Sequence, residues 1–536
     1  MLTAGPRATV KRFDLGMVQG KAVHFLLDLV WAGQTFRLAP IDLVVESTET
    51  GEAYAYDGLL EQTPAFAEAL NLFGSSAEVY AVPVTAVLPV DVAQLVARGF
   101  DLLQATGELS LWVDGTTYED RRVVLVGHLS DPEYGRVGEP INASLQSELF
   151  EDRAILPDPA MVINAESWPD LADGADGASY PVVFGSDAAT GAVTLSRGYL
   201  VDTVNEFVLV AGHLCESGSV YVNCDSDITG VVVPLVTMAD ALGRLVTVAD
   251  LSGSGLLYNV SDGFYVRWSE GAGAAIAIDG SGAMSGAGEV LAFLLSRSSM
   301  RVDYGRVAAA SAYLNRYKLA GCILEGVNPW EFIAANLSPI LPMSVVNGPQ
   351  GVYVIPWRYD ATAGDVVERL DVSIDPTIEQ VGSVRYSGGR PDLYNRFRLR
   401  YNLSQRLGTM TGSAMLSGMS EASAEAASNV YCRQSQLRYG TQTREEESSV
   451  IRDPATAALV LGWWSIATAL PSRLVTYACG YDRAWLERGN VVSVTDPDLY
   501  LSEHLALVDG ITYGDAGIEL SLRIIENVAQ QLHREA

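Results

Sequence analysis

The stretch GELSLWVDGTTYEDRRVVLVGHL, Gly107–Leu129, sets the reading of the whole chain. Two runs rich in apolar and β-branched residues, Glu108–Val113 and Arg122–Leu129, flank an Asp114-Gly115 pair. Asp-Gly readily takes the positive φ angles that a tight turn between antiparallel strands needs, so the stretch predicts a β-hairpin. Similar runs lie upstream. Val23–Trp31 and Phe36–Glu46 read as strands, the second weakened or marked as an edge by Pro40, and Glu52–Leu60 alternates. Asp91–Leu103 differs, because Val92, Leu95, Val96, Phe100 and Leu103 fall on one face of a helix.

Downstream, Pro157, Pro159, Pro169 and Pro181 punctuate a connector that also holds a Gly/Ala/Asp run at 171–179. Arg197–Ala211, Val220–Val222, Gly230–Val236 and Gly263–Trp268 predict further strands between Gly-rich loops. Ala287–Ser296, Val307–Arg316 and Pro329–Leu337 carry helical patterns, with Asn328 placed to cap the third and Pro329 at its first turn. An Asn347-Gly348 pair and a strand over Gly351–Pro356 follow. Residues 408–429, GTMTGSAMLSGMSEASAEAASN, are small and polar, which suits a flexible surface loop or a segment ordered on assembly. Strands are predicted again over Arg473–Cys479, Asn490–Thr495, Ala506–Ile511 and Ile518–Ile525.

The fold class expected from these patterns is a multidomain, β-rich α+β chain, with β-rich parts at both ends and an α/β unit between. The expected divisions are an N-terminal β domain over 1–150, a connector and second β-rich domain over 151–285, an α/β domain over 286–385, and a C-terminal β domain over 386–536 with a flexible loop at 408–429. A length of 536 residues agrees with several domains of about 100–200 residues. With 49% hydrophobic and 19% charged residues, the chain is not a disordered one.

The formal charge is −30, from 65 acids and 35 bases. Nonspecific nucleic-acid binding and docking on an anionic membrane need the opposite sign. Only three bases are lysines, Lys11, Lys21 and Lys318. The longest uncharged apolar run, ATAALVLGWWSIATAL between Pro454 and Pro471, has 16 residues, below the roughly 20 of a membrane-spanning helix, and reads as a buried or interface helix. MLTAGPRATVKRFDLG lacks the apolar core of a signal peptide, so none is expected.

The five cysteines, Cys215, Cys224, Cys322, Cys432 and Cys479, are odd in number and form no CxxC, which favours free thiols in a reducing compartment. His213, Cys215 and Cys224, with Asp225 and Asp227 beside them, are the one group that could hold a metal or cluster, set against free structural thiols. Asp225-Ser226-Asp227 lacks the spacing and closing Glu of a calcium loop and reads as a solvated turn. Neither HExxH, GxSxG nor a Walker loop occurs. The expectation is no catalytic residue, no cofactor and no metal. Trp168, Trp268, Trp330, Trp357, Trp463, Trp464 and Trp485 are expected to pack in cores, the alternative being a sugar-binding platform.

Four stretches carry a family resemblance. They are Gly107–Leu129 with the following Pro132–Gly138 hinge and GEPINASL; Trp168–Gly185, ending in SYPVVFG; GAGEVLAFLLSRSSMRVD (286–303) with LAGCILEGVNPWEFIAANLSPILP (319–342); and LERGNVVSVT (486–495). Together they resemble the tail-tip, or baseplate, hub proteins of long-tailed bacteriophages and gene-transfer agents. In the last stretch Asn490 stands where the resembled pattern has aspartate. The resemblance implies a structural, non-enzymatic hub, and a tube-like β-barrel form for the two end domains. It implies a homotrimer whose subunits each give two tube-like β-domains to a pseudo-sixfold ring. The implied partners are the tail tube and distal tail protein above, a central fibre or tip protein below, and the tape measure protein. DNA would pass through the channel without specific binding, and no stable membrane insertion is expected. The implied location is the virion tail tip, after assembly in the host cytoplasm. A receptor- or carbohydrate-binding tail-tip protein is the alternative.

Overall fold

The computed structural model describes residues 21–61, 66–69, 81–147, 154–185, 196–215, 218–268, 284, 286–348, 350–386, 393–418, 426–514 and 517–525. Strands β1 (Val23–Trp31), β2 (Gln34–Leu38), β3 (Leu43–Glu46), β4 (Ala53–Tyr56), β5 (Phe66–Ala69) and β6 (Ala81–Ala86) precede helix α1 (Val92–Ala97), and β7 (Thr106–Val113), β8 (Arg122–Glu133) and β9 (Ile141–Ser147) follow it. Six of them form one sheet in the order β2-β1-β7-β8-β9-β6. The expected hairpin is present as antiparallel β7–β8, with Leu109 opposite Leu125 and Gly115 at φ +76°. Its connection is longer than a two-residue turn, because Tyr118–Asp120 coils into a 3-10 turn closed by Asp120 on Thr117.

Pro40 falls in the gap between β2 and β3, so the run Phe36–Glu46 is two strands rather than one. The helix expected over 91–103 ends at Ala97; Gly99 takes φ +95°, and Phe100 and Leu103 are exposed. Residues 57–61 join the two edges of the sheet. Ala39 N–H donates to Asp57 C=O and Asp57 N–H to Arg37 C=O on the β2 side, while Glu61 N–H donates to Thr85 C=O on the β6 side.

Next, β10 (Val182–Phe184) ends a long strap, and β11 (Ser196–Asp202), β12 (Phe207–Ala211), β13 (Ser219–Cys224), β14 (Val231–Ala239), β15 (Leu245–Asp250) and β16 (Phe264–Trp268) close a barrel in the order β11-β12-β15-β14-β13-β16. Arg197–Ala211, expected as one strand, turns at 203–206, where Asp202 accepts hydrogen bonds from Val204 and Asn205 N–H. Alternation then sorts the side chains. Val208, Val210, Val220, Val222 and Phe264 fill the interior, while Leu209, Val246 and Val248 face outward beneath Ile163, Trp168 and Tyr180 of the strap. Residues 154–185 are thus more than a connector, since they cover the outside of the barrel.

Helices α2 (Ala287–Ser296) and α3 (Tyr304–Leu314), strand β17 (Gly321–Ile323), helix α4 (Pro329–Phe332) and the hairpin β18 (Met343–Gly348)–β19 (Gly351–Pro356) form the expected α/β elements. Asn328 caps α4 by accepting from Trp330 and Glu331 N–H. The chain continues as β20 (Val366–Asp371), β21 (Glu379–Tyr386), β22 (Arg396–Ser404), β23 (Thr409–Ser417), β24 (Ala426–Ser428), α5 (Val430–Tyr439), β25 (Thr443–Ser448), α6 (Pro454–Thr468), β26 (Arg473–Cys479), β27 (Val491–Asp496), β28 (Leu501–Gly514) and β29 (Gly517–Ile524).

Helix α6 is apolar nearly all round, so it needs partners on more than one side. It packs on β22 and β23 and, through Val460, Leu461 and Trp464, shares one core with Leu291, Phe332, Leu337 and Phe397. The first half of the expected C-terminal domain therefore packs with the α/β unit. The loop expected over 408–429 is corrected in its first half: Thr409–Ser417 is β23, an interior strand of the sheet β24-β23-β22-β25. Its small residues have a packing reason, because a Cβ on Gly412 would lie 2.7 Å from the Tyr401 ring of β22. Residues 419–425 of that loop lie outside the described residues.

The last sheet runs β20-β27-β28-β29-β26-β21, drawing strands from both sides of the expected division at 385/386. Laid flat, six strands would hold the edges about 24 Å apart. The connector 372–378 between the two edge strands is coiled, with Ile374 N–H on Asp371 C=O and Ile378 N–H on Asp375 C=O. Strand β5 adds to the free half of β28, pairing Phe66 with Tyr513 and Ala69 with Gly510. The first and last sheets share one core, in which Leu27, Leu109 and Leu145 join Val475, Val494 and Leu520.

Candidate assembly surface

The four stretches that carry the resemblance meet at seams between these bodies. Strand β10, from SYPVVFG, pairs with β17, from LAGCI, placing Phe184 opposite Gly321. Gly185 closes that seam at φ +99°, and a Cβ there would stand 2.2 Å from the Ala320 Cβ. In LERGNVVSVT, Leu486 C=O accepts from Arg122 Nη2 of the first hairpin at 3.1 Å, and Glu487 pairs with Arg306 of α3. Gly489, at φ +77°, lies against Ile355 of β19. Asn490 does what an aspartate oxygen would do there, since its Oδ1 accepts from Glu487 N–H at 2.9 Å.

The barrel's two ends differ. At one, a hydrogen-bonded group fastens the strap: Trp168 Nε1 donates to Tyr180 Oη at 2.9 Å, Tyr180 Oη donates to Asp240 Oδ2 at 2.8 Å, and Arg244 Nε bonds the same carboxylate at 2.6 Å. His213 sits beside this end. Its Nε2 accepts from Val183 N–H at 3.1 Å, so the proton is on Nδ1, which donates to Leu214 C=O at 3.0 Å. Burial pushes the His213 imidazole down to about 4.

The neutral form is thus the folded form. The stability this gives is full above the unfolded value of about 6.5 and is lost as pH falls toward 4, by about 3 kcal/mol at most. Acidification through that window is expected to loosen the β10 seam, seen as lost hydrogen-exchange protection at the Val183 amide. His213→Gln should remove the effect, and an identical pH response in that variant would show that another group is responsible.

The metal candidates do not converge. Cys215 precedes β13 and Cys224 ends it, so the strand holds the two thiols roughly 17 Å apart, at opposite ends of the barrel. Both are buried free thiols, and burial pushes Cys215 up to about 12. Among the described residues no group of three or more His, Cys, Asp or Glu is placed to hold a metal ion. Asp225-Ser226-Asp227 forms a hydrogen-bonded turn, with Asp227 Oδ1 accepting from Thr229 N–H at 3.0 Å. Trp168, Trp357, Trp463 and Trp464 are buried and Trp330 and Trp485 half-buried, so these six form no exposed platform; the Trp268 ring lies outside the described residues. Among the described residues no helix is long and apolar enough to cross a membrane.

The other barrel end carries three loops, 203–206, 225–230 and 251–263. They are tied together. Cys224 Sγ donates to Leu257 C=O and accepts from Asp227 N–H, Ser226 Oγ donates to Asp262 Oδ1, and Tyr258 Oη donates to Glu206 Oε1. Yet their tips present Val204, Ile228, Leu257 and Val260 to solvent, exposed by 71%, 60%, 76% and 52%. Sequence reading gave no sign of this crown, because an exposed valine reads the same as a core one until its neighbours are placed.

No protein-family model matches the chain, and no curated protein matches it. Among solved structures, the chain is similar to a tail protein from Neisseria meningitidis MC58, at 10% identity over 94% of this chain and 97% of that one, with a TM-score of 0.36. It is similar to the 43 kDa tail protein of prophage MuSo2 from Shewanella oneidensis, at 12% identity over 93% and 98%, with a TM-score of 0.33. It is also similar to a chain of the native gene transfer agent virion, at 14% identity over 70% and 90%, with a TM-score of 0.37.

Proposed function

We propose that the chain is the structural hub of a phage-type tail tip. One observation supports this most directly: two β-sheets, β2-β1-β7-β8-β9-β6 and β20-β27-β28-β29-β26-β21, share one core, and β5 pairs with β28 of the second. A subunit that presents two barrel-like bodies side by side gives six in a ring of three. Such a ring can sit under a sixfold tube and above a threefold tip or fibre. The distal tail protein, the tube and the tape measure protein are the neighbours this reading assigns. The role is one of joining rather than of catalysis.

The net charge of −30 suits a wall past which DNA slides, because like charge keeps a duplex away over a Debye length of about 8 Å. A cryo-EM reconstruction of particles containing this protein is expected to show it as a threefold ring at the distal end of the tube. The purified protein is expected not to retain duplex DNA at physiological salt. A hexameric or twofold arrangement would overturn the hub reading, and tight duplex binding would overturn the conduit.

A further inference from the structure

We infer that the loop crown of the β11–β16 barrel is a docking surface for this chain's own N-terminal stretch, residues 1–21. The inference stands apart from the hub reading. It starts from the mismatch at the crown: four apolar tips stand in water on loops that their own hydrogen bonds hold together. Exposed apolar groups clustered on an ordered frame mark an interaction site.

The charge around them selects the occupant. Asp202, Glu206, Asp225, Asp227, Asp250 and Asp262 lie in or beside the three loops, and the stretches 202–206, 225–230 and 250–263 contain neither lysine nor arginine. The strap segment 170–176, tied to the same end by Thr203 N–H on Asp170 C=O, adds Asp170, Asp173 and Asp176. A partner must therefore bring positive charge together with apolar side chains.

Among the stretches outside the described residues, one has that chemistry; the arginine-rich run 385–406 is already committed to the fold around β22. Residues 1–21 carry Arg7, Lys11, Arg12 and Lys21 against the single acid Asp14, in a protein where acids outnumber bases 65 to 35. Leu2, Val10, Phe13, Leu15, Met17 and Val18 supply the apolar part. Residues 1–20 lie outside the described residues, and the chain enters the fold at an exposed Lys21 beside β1. Twenty extended residues reach about 66–72 Å from Lys21.

Lysine scarcity makes the test sharp. Full-length protein is treated with a water-soluble carbodiimide, which joins lysine amines to carboxylates in direct contact, and the links are mapped by mass spectrometry. Lys11 is expected to join mainly to Glu206, Asp225, Asp227 or Asp262. The yield should fall about tenfold in Leu257→Ser/Val260→Ser, whose altered side chains are exposed, and should also fall as salt is raised to about 0.5 M. Links from Lys11 to other regions, no link to a crown carboxylate, or an unchanged yield in the double variant would each overturn the inference.

Discussion

Replacing Trp464 with alanine is expected to cost about 3–5 kcal/mol. The indole is fully buried, its Nε1 donates to Pro339 C=O at 3.2 Å, and its ring meets Phe397 at 6.1 Å and the Arg444 guanidinium at 4.6 Å. Truncation opens a cavity where α6, the β22–β25 sheet and the helical unit meet, and it orphans a carbonyl. The cost should be local. Limited proteolysis should cut 286–356 and 396–468 at lower temperature than the β11–β16 barrel. Leu437→Ala, at a residue 78% exposed, should change stability by less than about 0.5 kcal/mol. Wild-type melting of Trp464→Ala would show that α6 is not held between two partners.

Arg483→Ala is expected to cost about 3 kcal/mol or more, because it strands two carboxylates in a nearly dry site. The guanidinium, with only 6% of its side chain exposed, bonds Asp375, reaches Asp482 at 3.0 Å and donates to Thr377 Oγ1 at 3.1 Å. Burial alone would raise the Asp375 carboxyl, but hydrogen bonds from Thr377 and the charge of Arg483 hold it below the usual carboxylate range. That contribution is present above about pH 3.9 and is lost as pH falls through the lower folded value. The loss should appear as early unfolding of the last sheet, whose two edge strands the connector 372–378 joins. Adding Asp375→Asn to Arg483→Ala should recover part of the stability. A double variant no better than the single one would make the arginine a packing element only.

Local elements were legible where one physical signal was strong. Val23–Trp31, Ala287–Ser296 and Arg473–Cys479 have in the structure the bounds that their patterns give. The reading fails where tertiary context decides. Thr409–Ser417 lacks the large side chains of a strand, and only the Tyr401 ring across the ladder explains its Gly412. Leu245–Asp250 goes unread although Gly243 and Ser252-Gly253 flank it, and it takes its place in the barrel through its partners β12 and β14. Pairings between distant segments are not legible at all, since a period of two fixes which face is buried but not which strand lies beside it. The same limit applies to the site. Cys224 and Asp225–Asp227 stand out as chemistry-bearing residues in the sequence, yet their task is to tie loops together, and the exposed tips they support carry no sequence mark.

The β5–β28 pairing sets an order on how the protein is made. Residues 66–69 leave the ribosome well before their partner strand, Gly510–Tyr513, which follows more than 400 residues later. At about 5–20 residues per second, the early segment waits tens of seconds for it. Until then the first sheet lacks the apolar surface that Val475, Val494 and Leu520 supply to their shared core. A chain released before residue 510 cannot complete either body. Synthesis through β28 thereby becomes a condition for a finished subunit, and products cut short before it are left with exposed core for proteases to find.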